Sequence, residues 1–91
     1  MLEFPPGGTR LSEASLDRIR EVAGIHAQNG GTVRVIGYSG GGADQGLGLE
    51  RARVVGAALA KNGVERKALK IVASAPPLGQ RGGTVEIALE Y

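Results

Sequence analysis

The sequence predicts an α+β domain: a β-α-β-α-β-β two-layer sandwich with a mixed sheet and both helices on one face. Three observations lead there. Two stretches carry apolar residues at three- and four-residue spacing, and they end in Asn29-Gly30 and Asn62-Gly63, a common way to stop a helix. Around them lie β-branched, alternating runs, TVRVIGY, ALKIVAS and TVEIALEY, which suit a pleated, half-buried surface. The last two runs are joined by a Pro/Gly loop with no helix, whereas the earlier strands are separated by helices that imply right-handed crossovers, so the sheet is mixed.

Taken in order, Leu2-Glu3-Phe4 alternates and is stopped by Pro5-Pro6-Gly7-Gly8, which predicts a short edge strand and a turn. Ser12 and Ser15 both stand where a helix cap is wanted, and Leu16, Ile19, Val22 and Ala23 follow at helical spacing, which predicts a helix over about 13–28. Residues 32–38 form the second strand, and Gly40-Gly41-Gly42 a loop. A second helix is expected over about 45–62. A third strand follows at 68–74, a loop at 75–83, and a fourth strand at 84–91 with Val85, Ile87, Leu89 and Tyr91 on one face.

Composition narrows the function. Ninety-one residues make one domain, with room for one core and one site. Apolar residues form 42% of the chain without a run long enough for a membrane-spanning helix. Phe4, Tyr38 and Tyr91 are the only aromatics, too few to stack successive bases, so a nucleic-acid reader is not expected. The net charge is +2; residues 1–45 hold four Lys or Arg against five Asp or Glu, and residues 46–91 hold seven against four. That tilt suits an anionic ligand and ordinary solvated surface equally. There are no cysteines, which removes disulfides, thiolate catalysis and Cys-based zinc sites.

One residue breaks the helical pattern. On a wheel centred on Val55, the apolar stripe of the second helix takes in Gly48, Leu59, Ala52, Ala58, Leu47 and Val54, while Glu50, Arg53, Ala57, Ala60 and Lys61 collect opposite. Arg51 falls about 40° from Val55, inside the stripe. A guanidinium is almost never buried alone. Arg51 therefore either snorkels over apolar surface to a loop carbonyl or a structural acid such as Asp44, or it faces a ligand.

Other groups offer less chemistry. His26, the only histidine, is expected near a helix C-terminus in a structural role. With one histidine and no cysteine, no spacing suggests a metal site. The Gly40–Gly42 loop lies between strand and helix, where phosphates bind, but neither G-K-[ST] nor G-x-G-x-x-G is present. Ser39 has no base to activate it, so catalysis is not expected.

The segments Gly37-Tyr38-Ser39, Leu47 to Val55 (LGLERARVV), Leu59 and Asn62-Gly63-Val64 resemble the OmpA-like, peptidoglycan-associating domain family. That family shows a strand ending G-H-T-D, a loop, a helix N-x-x-L-S-x-x-R-A-x-x-V-x-x-x-L and a G-V turn. Leu47, Arg51, Ala52, Val55, Leu59, Gly63 and Val64 stand at the family's spacing. Phe4, Leu11, Leu16 and Val85-Glu86-Ile87 extend the likeness over nearly the whole chain.

The resemblance implies a non-catalytic domain, excised as residues 1–91 from a longer envelope protein such as a lipoprotein. It would lie in the periplasm, tethered to the outer or inner membrane through its parent. In the family, the arginine of the R-A pair binds a carboxylate of the diaminopimelate in the peptidoglycan stem peptide, and the aspartate of G-H-T-D completes the pocket. A planar guanidinium is suited to that grip. Here Arg51 matches the arginine, but Tyr38 stands for the histidine, Ser39 for the threonine and Gly40 for the aspartate. The loop to Leu47 is shorter, Gly48 replaces a serine and Gly83-Thr84 a basic pair. Asp44, where the family has Asn, either replaces the lost acid or caps the second helix. The expected ligand set is thus Arg51, Tyr38, Ser39, Gly40 and Asp44, with no cofactor. The expected activity is peptidoglycan association, or a degenerate remnant of it. The alternative is a protein-interaction or oligomerisation module, docking an envelope protein or a second copy of itself.

Overall fold

In the computed structural model, residues 2–5, 7–40, 46–76 and 82–90 are described. Among them, strand β1 (Leu2–Glu3) leads to α1 (Glu13–Asn29), β2 (Thr32–Tyr38), α2 (Gly48–Lys61), a 3-10 turn at Arg66–Ala68, β3 (Leu69–Ser74) and β4 (Thr84–Glu90). The order is the one expected. Asp44, Gly41, Gly42 and Tyr91 lie outside the described residues.

Of the two candidate caps for α1, Ser12 takes the position: its backbone is extended and its Oγ accepts the N–H of Ser15 at 3.1 Å, satisfying one of the first-turn donors. At the other end Gly30 adopts φ 69 and donates its N–H to the His26 carbonyl at 2.7 Å, as a glycine past a helix end readily does. Helix α2 starts later than its periodicity predicts. Gly46 sits at φ 79, a left-handed conformation that a right-handed helix does not contain. Leu47, not Asp44, occupies the N-cap position and supplies no side-chain cap bond.

The sheet order is β1-β4-β2-β3, with β2 parallel to β3 and antiparallel to β4, and β1 antiparallel to β4. Val33 pairs with Leu69 and Leu89, Val35 with Ile71 and Ile87, and Gly37 with Ala73 and Val85. Because side chains alternate along a strand, these residues share one face. Ile19, Val22 and Ala23 of α1 and Ala52, Val55 and Leu59 of α2 are buried in one cluster with Leu2, Val33, Val35 and Val85, so both helices cover that face. Each fully buried Val, Leu or Ile side chain in this cluster stabilises the fold by about 1.5–3 kcal/mol.

The buried stripe of α2 is rotated relative to the wheel centred on Val55. Gly56 is buried, while Val54, Ala58 and Leu47 are only half-buried. The cause is β3: a Cβ on Gly56 would come within 2.6 Å of the Ile71 Cδ1, so the missing side chain lets helix and edge strand approach. A second close approach fixes the other end of the helix. A Cβ on Gly37 would overlap the Gly48 carbonyl. The last turn of β2 and the first turn of α2 are therefore in main-chain contact, and this contact sets where Arg51 enters the interior.

Candidate functional site

Arg51 lies in the first turn of α2, its N–H bonded to the Leu47 carbonyl at 2.9 Å. Its side chain runs beneath the β1–α1 segment and is 0% exposed. Nε donates to the Gly8 carbonyl at 2.7 Å, Nη2 to the Pro5 carbonyl at 2.9 Å and Nη1 to the Gly83 carbonyl at 3.2 Å. The Phe4 ring lies 5.3 Å from Cζ, near enough for the ring's negative face to favour the cation. Of the two roles open to this residue, the geometry displays the carbonyl-capping one.

The acceptors are held by the loops that carry them. Pro5 and Gly8 close a tight turn, with the Gly8 N–H on the Pro5 carbonyl at 2.9 Å and Gly7 at φ 70. Gly83, at φ 81, donates its N–H to the Tyr38 carbonyl at 2.9 Å while its own carbonyl faces Arg51. The planar guanidinium thus ties three chain segments together: the loop after β1, the entry to β4 and the start of α2. Hydrogen bonds from a charged donor contribute about 1.5–3 kcal/mol each, and here they also offset the cost of burying a cation.

The other expected site residues are distributed differently. Tyr38 is 8% exposed, but the alternation that points Gly37 at α2 sends the Tyr38 side chain to the opposite, helix-free face of the sheet. There its hydroxyl donates to the Glu86 Oε1 at 3.5 Å. Burial, the Glu86 charge and this hydrogen bond together raise the phenol above its usual value of 10.0, because each disfavours the phenolate. Tyr38 and Arg51 are therefore adjacent along the chain path but separated by the sheet.

Ser39 and Gly40 do gather near Arg51's end of the domain. The Ser39 N–H bonds the Ser74 carbonyl at 3.1 Å, and its Oγ faces Gly48. A Cβ on Gly82 would overlap the Ser39 carbonyl and approach the Gly40 Cα at 2.7 Å. Three main-chain segments, at 37–40, 46–48 and 82–83, are thus packed against one another. Asp44 lies outside the described residues.

Several participants had no sequence signal. Pro5, Gly8 and Gly83 act through carbonyls, which every residue possesses. Glu86, by contrast, was recoverable from strand register, since Glu86 pairs with Ile36 and so shares a face with Tyr38. His26 is half-buried near the end of α1, and its Nδ1 is buried without a hydrogen-bond partner among the described residues. Among those residues no three His, Cys, Asp or Glu side chains form a metal-binding group, and no helix is long and apolar enough to cross a membrane.

No protein-family model matches the sequence, and no curated protein does either. The fold does have solved counterparts. The C-terminal domain of Helicobacter pylori MotB superposes with a TM-score of 0.80 at 16% identity, covering 99% of this chain and 82% of that one. The peptidoglycan-associated lipoprotein from Burkholderia pseudomallei gives 0.80 at 17% identity, over 98% of this chain and 88% of the other. The periplasmic domain of H. pylori MotB gives 0.68 at 18% identity, over 94% and 73%. With the mixed four-strand sheet, the two helices on one face and the buried arginine of the R-A pair already in place, these superpositions establish that the chain has the OmpA-like fold.

Proposed function

We propose that this chain is a non-catalytic envelope domain, held in the periplasm through its parent protein, that associates weakly and non-covalently with the peptidoglycan stem peptide. The observation that carries the reading is the fold shared over 98% of the chain with a lipoprotein named for peptidoglycan association, with Arg51 at the motif position in the first turn of α2. The weakness follows from the geometry. Arg51 is 0% exposed and bonded to three carbonyls, so an incoming carboxylate has to displace acceptors already in place. Gly40 offers no acid to balance the ligand's ammonium. A guanidinium that keeps its own loops together contributes little differential affinity to a ligand.

An NMR titration with a diaminopimelate-containing muropeptide tests this. Shifts confined to residues 38–51 are expected, saturating only at high concentration. A flat response at millimolar peptide removes the proposal. The second reading, a protein-interaction module, is favoured by the same carbonyl engagement of Arg51, which suits a structural staple as well as a ligand contact. Sedimentation at increasing concentration separates the oligomeric form of that reading from a monomer.

A further inference from the structure

Away from Arg51, α2 and β3 bound an open groove of about 840 Å³, lined among others by Gly56, Ala57, Ala60, Leu69 and Ile71, with Arg53, Lys61 and Arg66 at its rim. The floor is apolar for a structural reason. Leu69 and Ile71 point to the helix side of the sheet, as their pairing with Val33 and Val35 requires, and Gly56 brings α2 close without filling the space above. Ala57 and Ala60, expected on a solvated face, form one wall.

Strand β3 is also the sheet edge. It pairs with β2 on one side and with no strand on the other among the described residues. Its six residues, LKIVAS, contain no proline, and an uncovered edge of this kind is a template for another strand. The rim cations are unengaged: Arg53, Lys61 and Arg66 form no ion pair with any described residue. Lys70 projects from the other face of the same strand.

We propose that this edge and groove dock an extended acidic segment of a partner protein, which adds as a fifth strand beside β3. Main-chain bonds to β3 supply the pairing; the segment's groove-facing side chains are apolar at the centre, over Leu69 and Ile71, and acidic at the two ends, near Arg53 and near Lys61 and Arg66, while an acid on its other face meets Lys70. Charge decides against a second copy of this chain. Two copies joined β3 to β3 about a two-fold axis set their α2 cations side by side, and like charges across the seam oppose that pairing. The proposal is independent of the peptidoglycan reading, because the residues involved are 53–61 and 66–72 rather than 38–51.

The probe is a soluble heptapeptide, acetyl-Glu-Thr-Val-Glu-Ile-Thr-Glu-amide, whose first, third, fifth and seventh side chains share the groove face, titrated into the isotopically labelled domain. Expected are shifts in residues 53–61 and 66–72, slowed amide exchange along β3, and binding that weakens as salt rises. The double variant Arg53→Glu with Lys61→Glu, both exposed positions, keeps the far-ultraviolet dichroism spectrum and binds about tenfold or more weakly. Equal binding by the peptide with Lys in place of Glu overturns the proposal, as does binding without protection of β3. A concentration-dependent dimer giving the same shifts also overturns it, assigning the edge to a second copy instead.

Discussion

Arg51 and Arg53 stand two residues apart on one helix and occupy opposite physical worlds. Arg51 is sealed between loops, with its donors on the Pro5, Gly8 and Gly83 carbonyls. Arg53 projects into solvent at the rim of a groove, with no ion pair among the described residues. The contrast teaches that charge alone does not mark a binding arginine. The buried one already serves the fold, so a ligand gains from it only by displacing those carbonyls. The exposed one is free to engage something else, because nothing already present has to be displaced.

Removing Arg51 has the largest expected effect. Arg51→Ala leaves three carbonyls, on the loop after β1 and at the entry to β4, without their donor and is expected to cost about 3–5 kcal/mol, a large share of a small domain's stability. Urea denaturation measures it. Arg51→Lys recovers only part of the loss, since a single ammonium on a flexible stem cannot reproduce a planar fork of donors. A loss below 1 kcal/mol in the alanine variant would show that the staple is idle and that the residue is kept for a ligand.

A smaller effect tests how the site is positioned. Gly37→Ala drives a methyl group into the Gly48 carbonyl and should destabilise by about 1–3 kcal/mol. It should also shift the amide resonances of both the 37–40 and 46–48 segments. An unperturbed spectrum would mean that β2 and α2 separate without cost, and that their contact does not place Arg51.

Tyr38 gives a pH signature on the other face of the sheet. Its proton is held more tightly in the folded state than in the unfolded state, where the phenol has its usual value of 10.0. Its contribution is therefore complete below that pH and is lost as pH rises through the raised folded value. Stability against urea should fall above about pH 10, and the fall should be shallower in Tyr38→Phe. An identical slope in the two proteins would remove Glu86 and burial as influences on this residue.

The smallest effect belongs to the exposed arginine. Arg53→Ala should change stability by less than about 0.5 kcal/mol, while weakening the acidic heptapeptide. A stability loss comparable to that of Arg51→Ala would erase the distinction between the two regions.

How much of this was legible varies by element. The run TVRVIGY was readable to the residue, because β-branching and alternation act locally and Thr32–Tyr38 is the observed strand. The start of α2 was not, since its periodicity continues back to Gln45 while Gly46 takes a left-handed φ that a sequence permits but does not demand. The wheel identified Arg51 as misplaced among apolar residues, but could not separate a carbonyl cap from a ligand contact. Tyr38 and Arg51 looked like neighbours because both sit near the β2–α2 connection; only the pleat separates them.

The element order, the apolar faces and the entry of one cation into the core were all written in the residue pattern. These follow from periodicity and from turn residues, whose preferences act over a few bonds. Long-range packing settled which carbonyls meet that cation, which helix face meets β3, and that no described strand pairs with the edge beside Arg53. Those outcomes depend on main-chain carbonyls and glycine contacts between segments distant in sequence. Carbonyls carry no residue identity, so no pattern of side chains could announce where the donors of Arg51 would go.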